Sequence, residues 1–125
     1  MRKSDLPTPY EADEQRALMD WAALQAGAHP ELRLLYHIPN EGKRLGGAGA
    51  RAKRQGLRKG VPDLCLPVAR GGYHGLYIEL KRRRMGRVSD AQRDWLCWLG
   101  AEGYRAVVCY GMDAARNEIL RYLRG

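Results

Sequence analysis

Two apolar-alternating runs, D-L-C-L-P-V-A (residues 63–69) and G-L-Y-I-E-L-K (residues 75–81), flank a short R-G-G-Y-H stretch, and together they constrain the fold more than any other part of the chain. Such a pair reads as a β-hairpin. Alternation along the second run sends Leu76, Ile78 and Leu80 to one face and Tyr77, Glu79 and Lys81 to the other. A tight turn on Gly71-Gly72 places Asp63 opposite Leu80, pointing into the core. Moving the register by one, with the loop centred on Gly71, pairs Leu64 with Ile78 and Leu66 with Leu76 and sets Asp63 opposite Glu79. The second register matches apolar with apolar and is the one predicted, because a one-residue slip inverts every side chain. It requires a longer loop or a bulge.

Around this hairpin the other elements follow. Thr8, Pro9 and Glu11 form a helix-start signature, N-cap, proline and capping-box acid, and Leu18, Trp21, Ala22 and Leu24 continue at helical spacing to a stop near Gly27. L-R-L-L-Y-H-I-P-N (residues 32–40) reads as a strand closed by Pro39. Residues 41–60 begin as a Gly-rich loop and continue as a basic helix or ordered loop. Ser89 with Gln92 is a second capping box, opening a helix with Trp95, Leu96, Trp98 and Leu99 that stops at Gly100 or Gly103. Y-R-A-V-V-C-Y reads as a buried strand and D-A-A-R-N-E-I-L-R-Y-L as a closing amphipathic helix. The order α, β, β, β, α, β, α predicts an α/β domain whose mixed sheet is covered by helices. With 125 residues, one domain is expected.

Charge distribution narrows the partner. The net charge is +8, and it is segregated. Lys43, Arg44, Arg51, Lys53, Arg54, Arg58 and Lys59 face Glu41 alone, and Lys81, Arg82, Arg83, Arg84 and Arg87 follow with no acid, while Asp5, Glu11, Asp13, Glu14 and Asp20 gather at the start. This is the pattern of a surface meeting phosphates. No apolar run approaches the ~20 residues of a membrane span. The beginning, M-R-K-S-D-L-P, has no signal-peptide stretch, so a cytoplasmic protein is expected. Cys65, Cys97 and Cys109 form no C-x-x-C pair and read as reduced, buried small hydrophobes. His29, His37 and His74 make no zinc-spaced cluster with them.

Glu79 and Lys81 share a face roughly 6.5 to 7 Å apart at their α-carbons, and the predicted register brings Asp63 beside Glu79. Two adjacent carboxylates repel unless a cation lies between them. A hard divalent ion with oxygen ligands, Mg²⁺ or Mn²⁺, resolves the conflict. Lys81 cannot be a ligand while charged, but it can orient a water and stabilise negative charge during attack on phosphorus. The plain alternative is a cross-strand ion pair on a solvated face. An isolated E-x-K favours that alternative, whereas P-D and E-x-K on adjacent strands with a basic flank do not.

P-D followed by E-L-K within an αβββαβ order resembles the PD-(D/E)xK nuclease superfamily, the restriction-endonuclease-like core. More narrowly, E-x-x-x-Q near the start, G-V-P-D-L, I-E-L-K and S-x-x-Q at the next helix resemble the virus-type replication-repair nuclease (VRR-NUC) domain, from roughly Glu11 to Leu123. The resemblance implies a metal-dependent, structure-selective endodeoxyribonuclease acting as a homodimer on branched DNA such as four-way junctions, with Mg²⁺ or Mn²⁺. It implies Asp63, Glu79 and the carbonyl of Leu80 as metal ligands, Lys81 as the catalytic lysine, Glu11 as the helix acid completing the site, and Gln92 as a further site residue. Glu11 and Glu14 both extend the apolar stripe of the first helix; the motif's spacing favours Glu11, and periodicity alone does not choose. For Gln92, cap and site support are compatible. Lys43, Arg44, Arg51, Lys53, Arg54 and Arg58 are the expected DNA contacts.

Trp95 and Trp98 are expected in the core rather than as base-stacking platforms, and His37 as a structural histidine. The Gly-rich loop carries no G-x-x-x-x-G-K-[ST], so nucleotide hydrolysis is not indicated. Two other readings use the same residues. A non-catalytic DNA-binding module needs the basic surface but gains nothing from the acids. An RNA-processing nuclease differs only in substrate, and no 2′-hydroxyl reader is evident.

Overall fold

The hairpin contains both registers that its sequence allows, one at each end. In the computed structural model, which describes residues 10–39, 50–51 and 53–125, strands β2 (Leu64–Leu66) and β3 (Leu76–Lys81) pair Leu64 with Ile78 and Leu66 with Leu76. At the tip, Arg70 bridges Tyr73 across a tight Gly71-Gly72 turn. Both glycines have positive φ, 57° and 86°, as two-residue hairpin turns of this hand require. The two registers differ by one residue, which the first arm absorbs as Pro67-Val68-Ala69 against His74-Gly75. Pro67 has no N–H to offer a ladder, and the chain folds around it so that Val68 N–H donates to the Leu66 carbonyl at 2.9 Å.

The sheet runs β1-β2-β3-β4, with β1 (Tyr36–His37) antiparallel to β2, β2 antiparallel to β3, and β4 (Arg105–Tyr110) parallel to β3. The α-helices α1 (Glu11–Gln25), α2 (Asp90–Ala101) and α3 (Met112–Leu123) flank it. This is an α/β fold with a mixed sheet flanked by helices. α1 and α3 pack together on the face that carries Leu64, Leu66, Leu76, Ile78 and Leu80, and with Leu18, Ala22, Ala115 and Ile119 they form the core. Each fully buried leucine or isoleucine contributes about 1.5 to 3 kcal/mol. Among the described residues, no helix is long and apolar enough to cross a membrane.

Several expectations need correction. The strand over 32–40 is short, because Pro30 opens a 3-10 helix (Pro30–Leu34) that delays extension until Tyr36. Its turns close through Leu32 N–H to the His29 carbonyl (3.0 Å) and Leu35 N–H to the Leu32 carbonyl (3.2 Å), and they bury Leu32 and Leu35. The first helix begins at Glu11 behind Tyr10, which gives no side-chain cap, so Glu11 is its first residue rather than a capping-box acid; Thr8 and Pro9 lie outside the described residues. β4 is half-buried apart from the buried Cys109 and the exposed Tyr110, and Cys97 is exposed. α2 buries no residue fully. Trp98 is 57% exposed and meets a half-buried Trp95 edge-on at 5.8 Å, so neither is a core anchor. α2 lies on the sheet face opposite the core, where it covers one half-open layer instead of being enclosed.

Candidate active site

β3 delivers Glu79 and Lys81 at its C-terminal end, and the loop entering β2 delivers Asp63 beside them. The backbone holds Asp63 from two directions. Its Oδ2 accepts a hydrogen bond from Leu80 N–H at 2.8 Å, and its carbonyl lies 2.7 Å from the donating Ile38 N–H and 3.0 Å from His37 Nδ1. His37 therefore supports the loop through Nδ1. Within a strand, one residue's N–H and C=O point to the same edge, so the Leu80 carbonyl also looks toward the Asp63 side. Lys81 O accepts instead from Gly111 N–H at 2.8 Å, on the β4 side.

Glu79 is the electrostatic centre. It is 1% exposed. Burial and then the neighbouring Asp63 carboxylate push its carboxyl up to about 9, against the pull of Lys81. Gln92 Nε2 donates to Glu79 Oε2 at 2.7 Å, while Glu79 Oε1 is buried without a hydrogen-bond partner. An orphaned carboxylate oxygen beside a second carboxylate is a place where a cation removes the penalty.

Lys81 is buried and stands 3.7 Å from Glu79 Oε2 and 3.9 Å from Glu11 Oε1. Both distances exceed a direct hydrogen bond, so the ammonium acts as a point charge between two acids. Glu11 thus joins the site through Lys81. Among the described residues, no three His, Cys, Asp or Glu side chains converge tightly enough to form a metal cage; the tight acid pair is Asp63 with Glu79.

Glu14 has a different place. It is buried, pairs with Arg83 Nε at 3.3 Å and accepts from the N–H of Met112, the first residue of α3. It therefore ties α1 to the positive end of α3, and Arg83 is spent on that tie.

Gln92 does two jobs at once. Its Oε1 accepts from Ser89 N–H at 2.8 Å and its own N–H donates to Ser89 Oγ at 3.1 Å, completing the capping box while Nε2 reaches Glu79. Gly60 packs against Ala91 in the same turn of α2, so the segment leading to Asp63 is seated on the start of that helix.

Of the basic segment, Lys43 and Arg44 lie outside the described residues. Residues 50, 51, 53 and 54 are helical, and Arg51, Arg54 and Gln55 line an open groove. Arg58 folds back so that Nη1 donates to the carbonyls of Lys53 (3.5 Å) and Leu57 (3.4 Å). Sequence reasoning did not bring Tyr110 beside Lys81, its partner in the sheet. Its signal was the parallel β3–β4 register, which no local pattern encodes.

The family model described as the VRR-NUC domain matches residues 10–113. A solved structure described as a VRR_NUC domain protein is similar at 32% identity, covering 95% of this chain and 92% of that one, with a TM-score of 0.81. No curated protein matches the chain.

Proposed function

The chain belongs to the VRR-NUC family of nuclease domains, and from that premise we propose that it is a metal-dependent endodeoxyribonuclease of the PD-(D/E)xK type acting on branched DNA. One observation carries the reading: Asp63, Glu79 and Lys81 meet at the end of β3, with Gln92 on Glu79 and an unsatisfied carboxylate oxygen at the centre. The hard oxygens of Asp63 and Glu79, with the Leu80 carbonyl, suit Mg²⁺ or Mn²⁺. When bound, such an ion polarises the phosphate and lowers the pKa of water.

The chain's own residues do the remainder. Asp63, fixed by Leu80 N–H, and Glu79, fixed by Gln92, present their carboxylates without further rearrangement. Lys81, held between Glu79 and Glu11, orients the attacking water and offsets negative charge that develops on the phosphoryl oxygens. Arg51, Lys53, Arg54 and Arg58 follow the phosphate backbone, joined by Lys43 and Arg44. The active form is a homodimer, because two cuts on opposite strands are simplest with two symmetric sites.

The test is cleavage of four-way-junction, linear duplex and single-stranded DNA, and of RNA, with Mg²⁺, Mn²⁺ or EDTA. Junction cleavage is expected with either metal and none with EDTA. Asp63→Ala, Glu79→Ala and Lys81→Ala are each expected to lower the rate at least about 100-fold while DNA binding persists. A folded Asp63→Ala protein that cuts at the wild-type rate would sink the assignment. Sedimentation at micromolar concentration tests the dimer, and a monomer that cuts linear duplex equally well would end the junction preference.

A further inference from the structure

β4 brings a residue to the site that no motif marks. In the parallel register Lys81 lies opposite Tyr110 and Glu79 opposite Val108, so Val108 and Tyr110 share the face of the two site residues. Adjacent strands are about 4.8 Å apart. The tyrosine therefore stands one strand further along the line that runs from Asp63 through Glu79 and Lys81. Val108 is half-buried, but Tyr110 is 48% exposed. Among the described residues, neither its ring nor its hydroxyl has a partner.

Its backbone, in contrast, is held firmly. Cys109 before it is buried in the core, and Gly111 after it donates to the Lys81 carbonyl at 2.8 Å. The next residue, Met112, donates to Glu14, which Arg83 clamps. A large flat side chain is thus presented to solvent beside the site on a rigid support, with no role in the core. Pre-positioning of this kind favours contact with a substrate group over packing.

We infer that Tyr110 is a substrate-positioning residue whose ring stacks on the nucleobase flanking the scissile phosphate. The inference rests on the nuclease reading and narrows its substrate class. A base within an intact duplex has both faces covered by its neighbours, and proteins reach the face of a base only where it is unpaired or turned out. Tyr110 therefore selects DNA in which a base next to the cut has an open face, either unpaired or with its stacking interrupted as at a branch point. Stacking needs an aromatic ring and tolerates any base.

The experiment compares wild type with Tyr110→Ala, Tyr110→Leu and Tyr110→Phe on a branched oligonucleotide whose cut position has been mapped on a gel. Circular dichroism checks that each variant is folded. The alanine and leucine variants are expected to raise KM about 10-fold with kcat nearly kept, and phenylalanine to restore KM to within about 2-fold. A 2-aminopurine placed beside the cut gives an independent readout in the Lys81→Ala background, which leaves the strand intact. Its fluorescence is quenched when position 110 is Tyr or Phe and is not quenched when it is Ala or Leu. Wild-type KM and full quenching in Tyr110→Ala would overturn the assignment while leaving the nuclease intact. Phenylalanine as defective as alanine would overturn it too, because the hydroxyl and not the ring would then be in use. A wild-type protein that cuts no DNA with either metal removes the nuclease reading and this assignment with it.

Discussion

Glu79 is almost closed to water beside Asp63, and that position sets a pH dependence for the metal-free protein. Its carboxyl lies at about 9 in the fold against 4.5 in a free side chain. Between these values the native state keeps a proton that the unfolded chain has released, so stability falls as pH rises through the window and levels off above it. In EDTA the thermal midpoint should decline from about pH 5 to about pH 9, and Glu79→Gln should flatten the decline. A flat wild-type profile would contradict the burial argument. Asp63, Glu79 and Lys81 were legible in the sequence because strand alternation and apolar pairing locate them without tertiary knowledge. Glu11 and Glu14 were not separable that way. They stand on one stripe of one helix, and what divides them is their partners: Lys81 for Glu11, Arg83 and the start of α3 for Glu14. Both partners come from residues far along the chain.

At the scale of elements, the seating of the Asp63 loop on α2 is the joint most sensitive to change. Gly60 has φ 91°, and a Cβ built there falls 2.6 Å from the backbone carbonyl carbon and oxygen of Ala91. Gly60→Ala must push apart the segment that leads to Asp63 and the helical turn that carries Gln92. A destabilisation of about 1 to 3 kcal/mol is expected, together with a loss of cleavage larger than that loss of stability would cause at assay temperature. Chemical denaturation and an activity assay on the same preparation measure both effects. Wild-type values in both would show that the joint yields freely. The hairpin, the capping box at Ser89 and the two amphipathic helices on the core face were readable because each has a local signature. The 3-10 turn at Pro30 was not, because Leu32, Leu34 and Leu35 suit a strand as well as a turn, and packing decides between them. α2 misled for a related reason: an apolar helix predicts a buried face, and Trp98 does not occupy one.

Over the whole molecule, the cations are divided between internal ties and free surface. Arg83 clamps Glu14, Arg70 binds Glu31 at 2.8 Å and Arg105 binds Glu118 at 2.9 Å. These do not count toward a phosphate track. Arg51, Lys53, Arg54 and Arg58 are exposed or partly exposed, with side chains that face no acid among the described residues. Replacing the four with neutral residues should weaken binding to every DNA shape and reduce the slope of log affinity against log salt by up to about 0.9 per lost contact. An unchanged slope in a fluorescence-anisotropy titration would mark the segment as solvated surface. Net charge in the sequence announced a polyanionic partner, but only the fold distinguishes cations already engaged from those available.

The two-ended role of Gln92 restricts what selection can place at that position. A capping box is served equally by glutamine or glutamate. Here glutamate would close the box and set a third acid against Glu79, while other residues would give up the reciprocal bond to Ser89 N–H as well. Of the twenty amino acids, two close the capping box and one closes it while also donating to the site. The amide also has a direction, since turning it over would aim its oxygen at a carboxylate and its nitrogen at a backbone donor. The position thus works as a keyed joint, admitting one part in one orientation.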